Sequence, residues 1–498
     1  MQNVMVMRYK TIRILSLALF LTLVSSCGED FLNKEPLGLL TSGTFFETEE
    51  HAVLATNAVY AHLRDWQVHV FSFIGLTDII SDDSDKGSTP NDAAFLREID
   101  DFTFDAGNTA PSSVWSGYYQ GIYRANVAIQ NIPNVEDMDP DLQARLIAEC
   151  KFLRAYLYFS LVRWFGDLPL VTEPLSPEEF NVPRSPVADI YALIEQDLLD
   201  AIEALPLKSG YPASEMGRAT RGAAQGFLAK VHLTRGNFAE AEQYAMAVIN
   251  SGEYALMDNY AQIFTAAGEN GVESIFEIQT AAFEPAVTGS QYNEVQGVRG
   301  TPNLGWGFNR PSDDLVSSFE SGDPRLNATV LYPGEVLPDG SDIVQDNPDI
   351  VNERYNQKAW VPDHPGFNGN GPGNIRRLRY ADILLVAAEA LNENGKTQQA
   401  LTYLNQVRER ARGSRTNVLP DITETETNAL REIIWRERRS ELALEQHRWF
   451  DLVRQGRAAD VMRAVGKENF TPGKHELLPI PQSEIDITEG TLSQNPGY

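Results

Sequence analysis

Residues 430–457 read Leu-Arg-Glu-Ile-Ile-Trp-Arg-Glu-Arg-Arg-Ser-Glu-Leu-Ala-Leu-Glu-Gln-His-Arg-Trp-Phe-Asp-Leu-Val-Arg-Gln-Gly-Arg. No Pro occurs and no Gly before Gly456, so propensity predicts a helix through most of the stretch. Leu430, Ile433, Ile434, Leu442 and Leu444 supply apolar surface, while Arg431, Arg436, Arg438 and Arg439 alternate with Glu432, Glu437, Glu441 and Glu445. Glu432 and Arg436 are an i,i+4 pair, Arg438 and Glu441 an i,i+3 pair, both on adjacent turns. Taken alone, the charges predict a solvated, ion-paired helix face.

The order of the residues says more. Arg438-Arg439-x-Glu441-Leu442-x-x-Glu445-x-His447-Arg448-Trp449-Phe450-Asp451-Leu452-x-Arg454-x-Gly456 resembles the closing segment of the SusD/RagB family. These are surface lipoproteins that capture glycans or peptides for an outer-membrane transporter. The tail is similar too, with Leu478-Pro479-Ile480-Pro481-Gln482-x-Glu484-Ile485 and then Gln494-Asn495-Pro496-Gly497-Tyr498. Its three prolines predict an extended rather than helical tail.

At 498 residues the chain has room for two or three domains or one large one. The net charge of −28, without a concentrated basic patch outside residues 430–457, argues against nucleic acid as a partner. It also disfavours strongly anionic polysaccharides through long-range repulsion, so a neutral glycan is preferred. There are two cysteines, and Cys150 lies in an apolar helical pattern as a small buried hydrophobe. The seven histidines show no metal-ligand spacing.

Arg8, Lys10 and Arg13 precede an apolar run over 14–24. Eleven residues are too few for a bilayer span, which needs about 20. The build is that of a secretory signal. Val24-Ser25-Ser26-Cys27 resembles a lipobox, which implies a signal peptide over 1–26, lipidation at Cys27 and a tether over 27–44. Gly28-Glu29-Asp30 resembles a surface-export signal, and Phe31-Leu32-x-x-x-Pro36 the family's opening.

Between 45 and 251 the pattern is helical. Thr48 is a cap with Glu49 and Glu50 in the first turn. A second helix fits 112–132. In the third, Leu142, Leu146, Cys150, Leu153, Leu157, Leu161 and Trp164 step by 4,4,3,4,4,3, with Phe152, Tyr156 and Phe159 on a second face. Phe165-Gly166-Asp167-Leu168-Pro169 ends it, and the run from Arg154 is another family resemblance. Ser185 and Pro186 are expected to open the next helix. Ala229, Gly236 and Ala241 share their spacing with Ala388, Gly395 and Ala400, matching small-residue positions of the tetratricopeptide repeat. The fold expected is all-α: a tetratricopeptide-like scaffold of about four helical pairs, as the resemblance implies, with long irregular insertions. The last pair and the closing helices occupy 378–498.

Two stretches break the pattern, a loop over 64–111 and an insertion over 252–377 rich in Gly, Pro and Asn. Long loops on a rigid scaffold tend to carry binding residues. The first holds Trp66, Phe71, Phe73 and the acidic residues Asp78, Asp82, Asp83 and Asp85; the second holds Tyr292, Trp306, Phe308, Tyr332, Tyr355, Trp360 and Phe367. A sugar ring has an apolar C–H face bordered by hydroxyls, which suits flat side chains flanked by Asn, Asp and Arg. Asn303-Leu304-Gly305-Trp306-Gly307-Phe308-Asn309-Arg310 combines these types. The ligand-binding candidates are Trp306, Trp66, Phe308, Trp360, Tyr292, Asn309 and Asp78. Asp82, Asp83 and Asp85 are weak candidates for a structural Ca²⁺ site, as they lack EF-hand spacing. No other cofactor is implied, and no nucleophile elbow, P-loop or dinucleotide fingerprint occurs.

The resemblance implies a non-catalytic, cell-surface lipoprotein of a Gram-negative outer membrane, feeding glycan to a SusC-like TonB-dependent transporter. A peptide-binding, RagB-like lipoprotein is the alternative. A surface glycoside hydrolase, which would need a carboxylate pair flanking the scissile bond, is a weaker one.

Overall fold

In the computed structural model, residues 46–282, 288–348, 350, 354–361 and 369–498 are described. Cys27, the signal and tether segments, and Phe367 lie outside them. Ten helices carry the architecture: α1 (Glu49–His62), α2 (Thr109–Asn131), α3 (Pro140–Phe165), α4 (Val187–Ala204), α5 (Arg221–Thr234), α6 (Phe238–Asn250), α7 (Tyr380–Glu393), α8 (Thr397–Arg412), α9 (Thr427–Leu442) and α10 (Arg448–Arg454). From α1 to α8 each packs on the next in chain order, with α6 meeting α7 across the long insertion.

Local chemistry explains most boundaries. The Thr48 hydroxyl accepts from the His51 N–H, capping α1. Asp139 caps α3 ahead of Pro140, and Gly166 takes φ +72° at its end. Both apolar faces of α3 are buried, and Trp164 is almost wholly enclosed. The buried Arg154 guanidinium grips the Asp197 carboxylate of α4 at 2.8 Å and donates to Asn126 of α2, tying three helices together. The opening of α4 differs from expectation. Ser185 pairs with Leu168 in a two-residue antiparallel strand, and the Val187 N–H donates instead to the Asp167 carboxylate at 2.9 Å. An acceptor from the adjacent turn replaces the local cap.

The small-residue triplets fall where two hairpins turn. Ala229, Ala241, Ala388 and Ala400 are fully buried in α5/α6 and α7/α8. Gly236 and Gly395 sit in the turns at φ +73°, with open space where a Cβ would go. The tetratricopeptide-like description of these units remains a proposal resting on that spacing. Because no contact opposes the added methyl, Gly395→Ala isolates backbone strain; denaturant titration should show a loss of about 1 kcal/mol.

Three expectations are corrected. The stretch 64–111 is not a surface loop: it holds short helices, a π-turn at Gly75–Ile79 and strand β1 (Ser84–Gly87), and residues 68–84 are buried throughout. Strand β2 (Ser274–Ile278) pairs with β4 (Ile375–Arg379), and β3 (Phe308–Pro311) pairs antiparallel with β1, so the early stretch and the later insertion form one body. The tail is not wholly extended, since a short helix, Gln482–Ile487, follows Pro481.

The third correction falls on 430–457. Its helix stops at Leu442, and the chain bends through 443–447 before α10. Nor is its charged face solvated throughout. Glu437, Arg438 and Glu441 are at most 3% exposed. Glu441 binds Arg379 at 2.6 Å, Arg325 at 3.0 Å, and Arg410. Arg438 binds Asp382 at 2.8 Å. Glu432 faces Arg457 at 3.7 Å, not Arg436, within its exposed surroundings.

Candidate functional site

The bend at 443–447 places Leu444 and Gln446 at φ +59° and +63°, which non-glycine residues adopt only when surroundings compel it. Gln446 supplies the compulsion. Its backbone N–H and side-chain amide donate to the Asp78 carboxylate at 3.1 and 2.9 Å, and the amide also reaches the Tyr292 hydroxyl at 2.9 Å. The Asn309 amide donates to Asp78 at 3.0 Å and to Gln296 Oε1 at 2.7 Å, while accepting from the Ser84 hydroxyl. Asp78 and Asn309 are wholly buried and Tyr292 is 7% exposed. Three sequence candidates therefore form an internal polar knot joining β1, β3 and the bend, with no face for a ligand. Burial pushes the Asp78 carboxyl up to about 6, against the hydrogen bonds from Gln446 and Asn309.

Asp82 and Asp83 of the acidic cluster are likewise internal. Arg448 grips Asp82 at 2.7 and 2.8 Å, and Arg439 grips Asp83 at 2.7 Å. Asp85 is paired with Arg310. These carboxylates face guanidinium groups. Among the described residues no group of three or more His, Cys, Asp or Glu is arranged to hold a metal.

The knot fixes β3 against β1 and so sets the direction of Phe308 and the loop before it. Trp306 meets Trp66 at 5.9 Å between ring centroids, with planes tilted by 53°. Phe71 meets Trp66 at 5.3 Å, Trp306 at 5.9 Å and Phe308 at 4.7 Å. Phe71 and Phe308 form the buried floor, at 7% and 4% exposure, and Trp66 stands 37% exposed at the edge. Next to Trp66 opens a hollow of about 540 Å³, lined by Phe71, Trp306 and Phe308 together with Asp92, Phe95, Arg299 and Asn303. Arg299 is paired with Asp92 and donates to the Ser88 hydroxyl at 2.5 Å. Burial opposes Asp92 ionisation, but hydrogen bonds from Arg299, Thr89 and Ser88 together outweigh it and hold the carboxyl down at about 2.

The structure thus brings together Trp66, Trp306 and Phe308 from the candidate set. Trp360 packs elsewhere, partly buried on a cluster of Val298, Leu331, Leu337, Val344, Ile350 and Tyr355. Sequence reasoning did not single out Phe95, Asp92 and Arg299. Nothing local marks them, because their roles depend on β1 meeting β3 more than 200 residues later.

Acid should unfold this protein with a definite sign. Despite the opposing effect of burial, the arginines around Glu441 and Lys230 and Arg438 beside Asp382 hold those carboxyls well below their ordinary values of 4.5 and 3.8. Burial also opposes ionisation of Asp82, yet Arg448 and Arg439 hold it at about 2. Their stabilisation is complete above the unfolded values and is lost as pH falls through the folded ones. Asp78, raised to about 6, acts oppositely, removing stability as pH rises from about 4 to 6. Urea titrations should therefore show stability falling steeply from about pH 4.5 to pH 2. A flat profile there would contradict the buried pairing.

An α-helical scaffold with an open, aromatic-floored surface hollow is the class that fold and site define. Residues 272–498 match the SusD family, and residues 58–233 match a family described as starch-binding, associating with outer membrane. SusD-like protein P2 of Formosa agariphila is 30% identical over 525 residues, covering 98% of this chain and all of that protein. A laminarin-binding SusD-like protein of known structure superposes with TM-score 0.78 at 32% identity, covering 91% of this chain and all of that one. Surface glycan-binding protein A of Bacteroides thetaiotaomicron, solved with laminarihexaose, gives 0.75 at 25% identity, covering 90% and 99%. The chain belongs to the SusD family.

Proposed function

We propose that this chain is a non-catalytic glycan-binding lipoprotein of the outer-membrane surface. It captures a neutral oligo- or polysaccharide in the hollow at Trp66 and Trp306 and passes it to a SusC-like TonB-dependent transporter. The observation that carries the reading is Trp306 over a phenylalanine floor, tilted against the neighbouring Trp66 and rimmed by Arg299, Asp92 and Asn303. Apolar sugar faces lie on such rings while the rim bonds hydroxyls. Rings inclined by 53° suit a chain that turns between successive sugars better than a flat ribbon. That geometry, with the laminarin and laminarihexaose ligands of two similar proteins, makes a β-1,3-glucan the first candidate. Among the described residues lining the hollow, Asp92 is the one carboxylate, and Arg299 holds it. A hydrolase would need a second carboxylate across the scissile bond.

Membrane attachment rests on the lipid at Cys27. Among the described residues no helix is long and apolar enough to cross a membrane. The test uses the soluble form lacking residues 1–27 in native gels cast with laminarin or other neutral glycans. Retardation by laminarin without release of reducing sugar is expected. Sugar release would replace this reading with the hydrolase, and capture of peptides without any glycan would replace it with the RagB-like one.

A further inference from the structure

Lys86 is a buried cation that the site's chemistry leaves unexplained. It lies on β1, is 0% exposed, and points its ammonium into the backbone of the next loop. Nζ donates to the carbonyls of Thr89 at 2.8 Å and Asp92 at 2.9 Å and lies 5.4 Å from the centre of the Phe308 ring. The loop it binds is held at both ends by residues in the left-handed region, Ser88 at φ +57° and Ala93 at +47°. Such backbone relaxes unless something holds it. The same loop carries Asp92 to Arg299 at the rim of the hollow.

We infer that Lys86 is a positioning residue for glycan recognition: its ammonium latches the 88–93 loop, and thereby the Asp92–Arg299 rim, in the binding shape. This rests on the reading of the hollow as a glycan site. Lys86 faces Arg97 and Asp100 from the helix Ala94–Asp100, Asp92 from the loop, and Arg299 from the insertion. Asp85 beside it is paired with Arg310 of β3, and Lys467 binds Asp100 at 2.9 Å. Burial, with Arg97 next, pushes the Lys86 ammonium down to about 8, against the attraction of Asp92 and Asp100. A solvated lysine, in an open loop or in the unfolded chain, keeps this proton until about pH 10.5, so losing it between about pH 8 and 10.5 favours the latched fold, and the neutral amine keeps two N–H donors for the two carbonyls.

Two readouts test this on the soluble chain. Laminarin affinity at pH 7 should fall about tenfold in Lys86→Met, with part of it recovered in Lys86→Arg, which keeps charged donors, and the wild-type affinity should hold from pH 7 to 9. Hydrogen exchange of the ligand-free protein, corrected for intrinsic rates, should show protection at 88–93 lost in Lys86→Met and kept in the wild type over the same interval. Unchanged protection in Lys86→Met overturns the latch whatever the affinity does. Lost protection in Lys86→Met with no glycan bound by the wild type upholds the latch and removes the glycan reading instead.

Discussion

Glu441→Gln costs about 3–5 kcal/mol of folding stability in denaturant titration, whereas Glu432→Gln on the same helix changes it by less than about 0.5 kcal/mol. The two residues look alike in the sequence, and each has an arginine three or four positions away. In the fold they differ completely. Glu441 is 0% exposed at the centre of an enclosed charge cluster. Arg325, Arg379, Arg408, Arg410 and Lys358 meet Asp323, Glu273, Glu437, Glu441 and Glu445 within it, and Tyr260 covers one side, its hydroxyl donating to the Glu441 carbonyl at 2.7 Å. Cations and carboxylates balance, so each desolvation penalty is offset by close partners. Neutralising Glu441 leaves Arg325, Arg379 and Arg410 short of their shared anion, and enclosed guanidinium groups cannot recover water. Glu432 stands at the surface, 3.7 Å from Arg457, where solvent replaces whatever the pair supplied. Equal effects of the two substitutions would show that the enclosure is not what gives Glu441 its weight.

Trp306→Ala should weaken laminarin binding about 30-fold or more, a loss of about 2 kcal/mol, the scale of a buried aromatic anchor in an interface. Trp66→Ala should act similarly. The double variant should lose less than the sum, because the rings touch at 5.9 Å and each shapes the other's surface. Trp306 also rests on Phe71, so its removal should lower stability by about 1 kcal/mol without unfolding the chain. Trp360→Ala is the control. It packs on a different apolar cluster and should cost stability while leaving affinity unchanged. Trp306→Ala with unaltered affinity would remove the hollow as the binding site.

How much was legible follows from where each signal is stored. The long helices, the Asp139–Pro140 start of α3, its Gly166 end, and the two hairpin turns at Gly236 and Gly395 are set by residues within a turn of one another. The order of residues around Arg438–Glu445 identified the family, and Trp66, Trp306 and Phe308 were singled out by chemistry suited to sugars. Distance in the chain hid the rest. Asp78 and Asn309 are the side-chain types that bond hydroxyls, yet 231 positions separate two groups that bond each other in the interior. Tyr292 was drawn inward by Gln446 in the same way.

The amino-acid sequence by itself determined the helical scaffold, the family and the aromatic character of the site, because periodicity, caps and side-chain chemistry are local properties. Only the tertiary structure decided which charges are enclosed and which are solvated, which aromatics share a surface, and that the acidic cluster faces arginines. Those outcomes depend on the partner each group meets once water is excluded, and a partner several hundred residues away leaves no local trace.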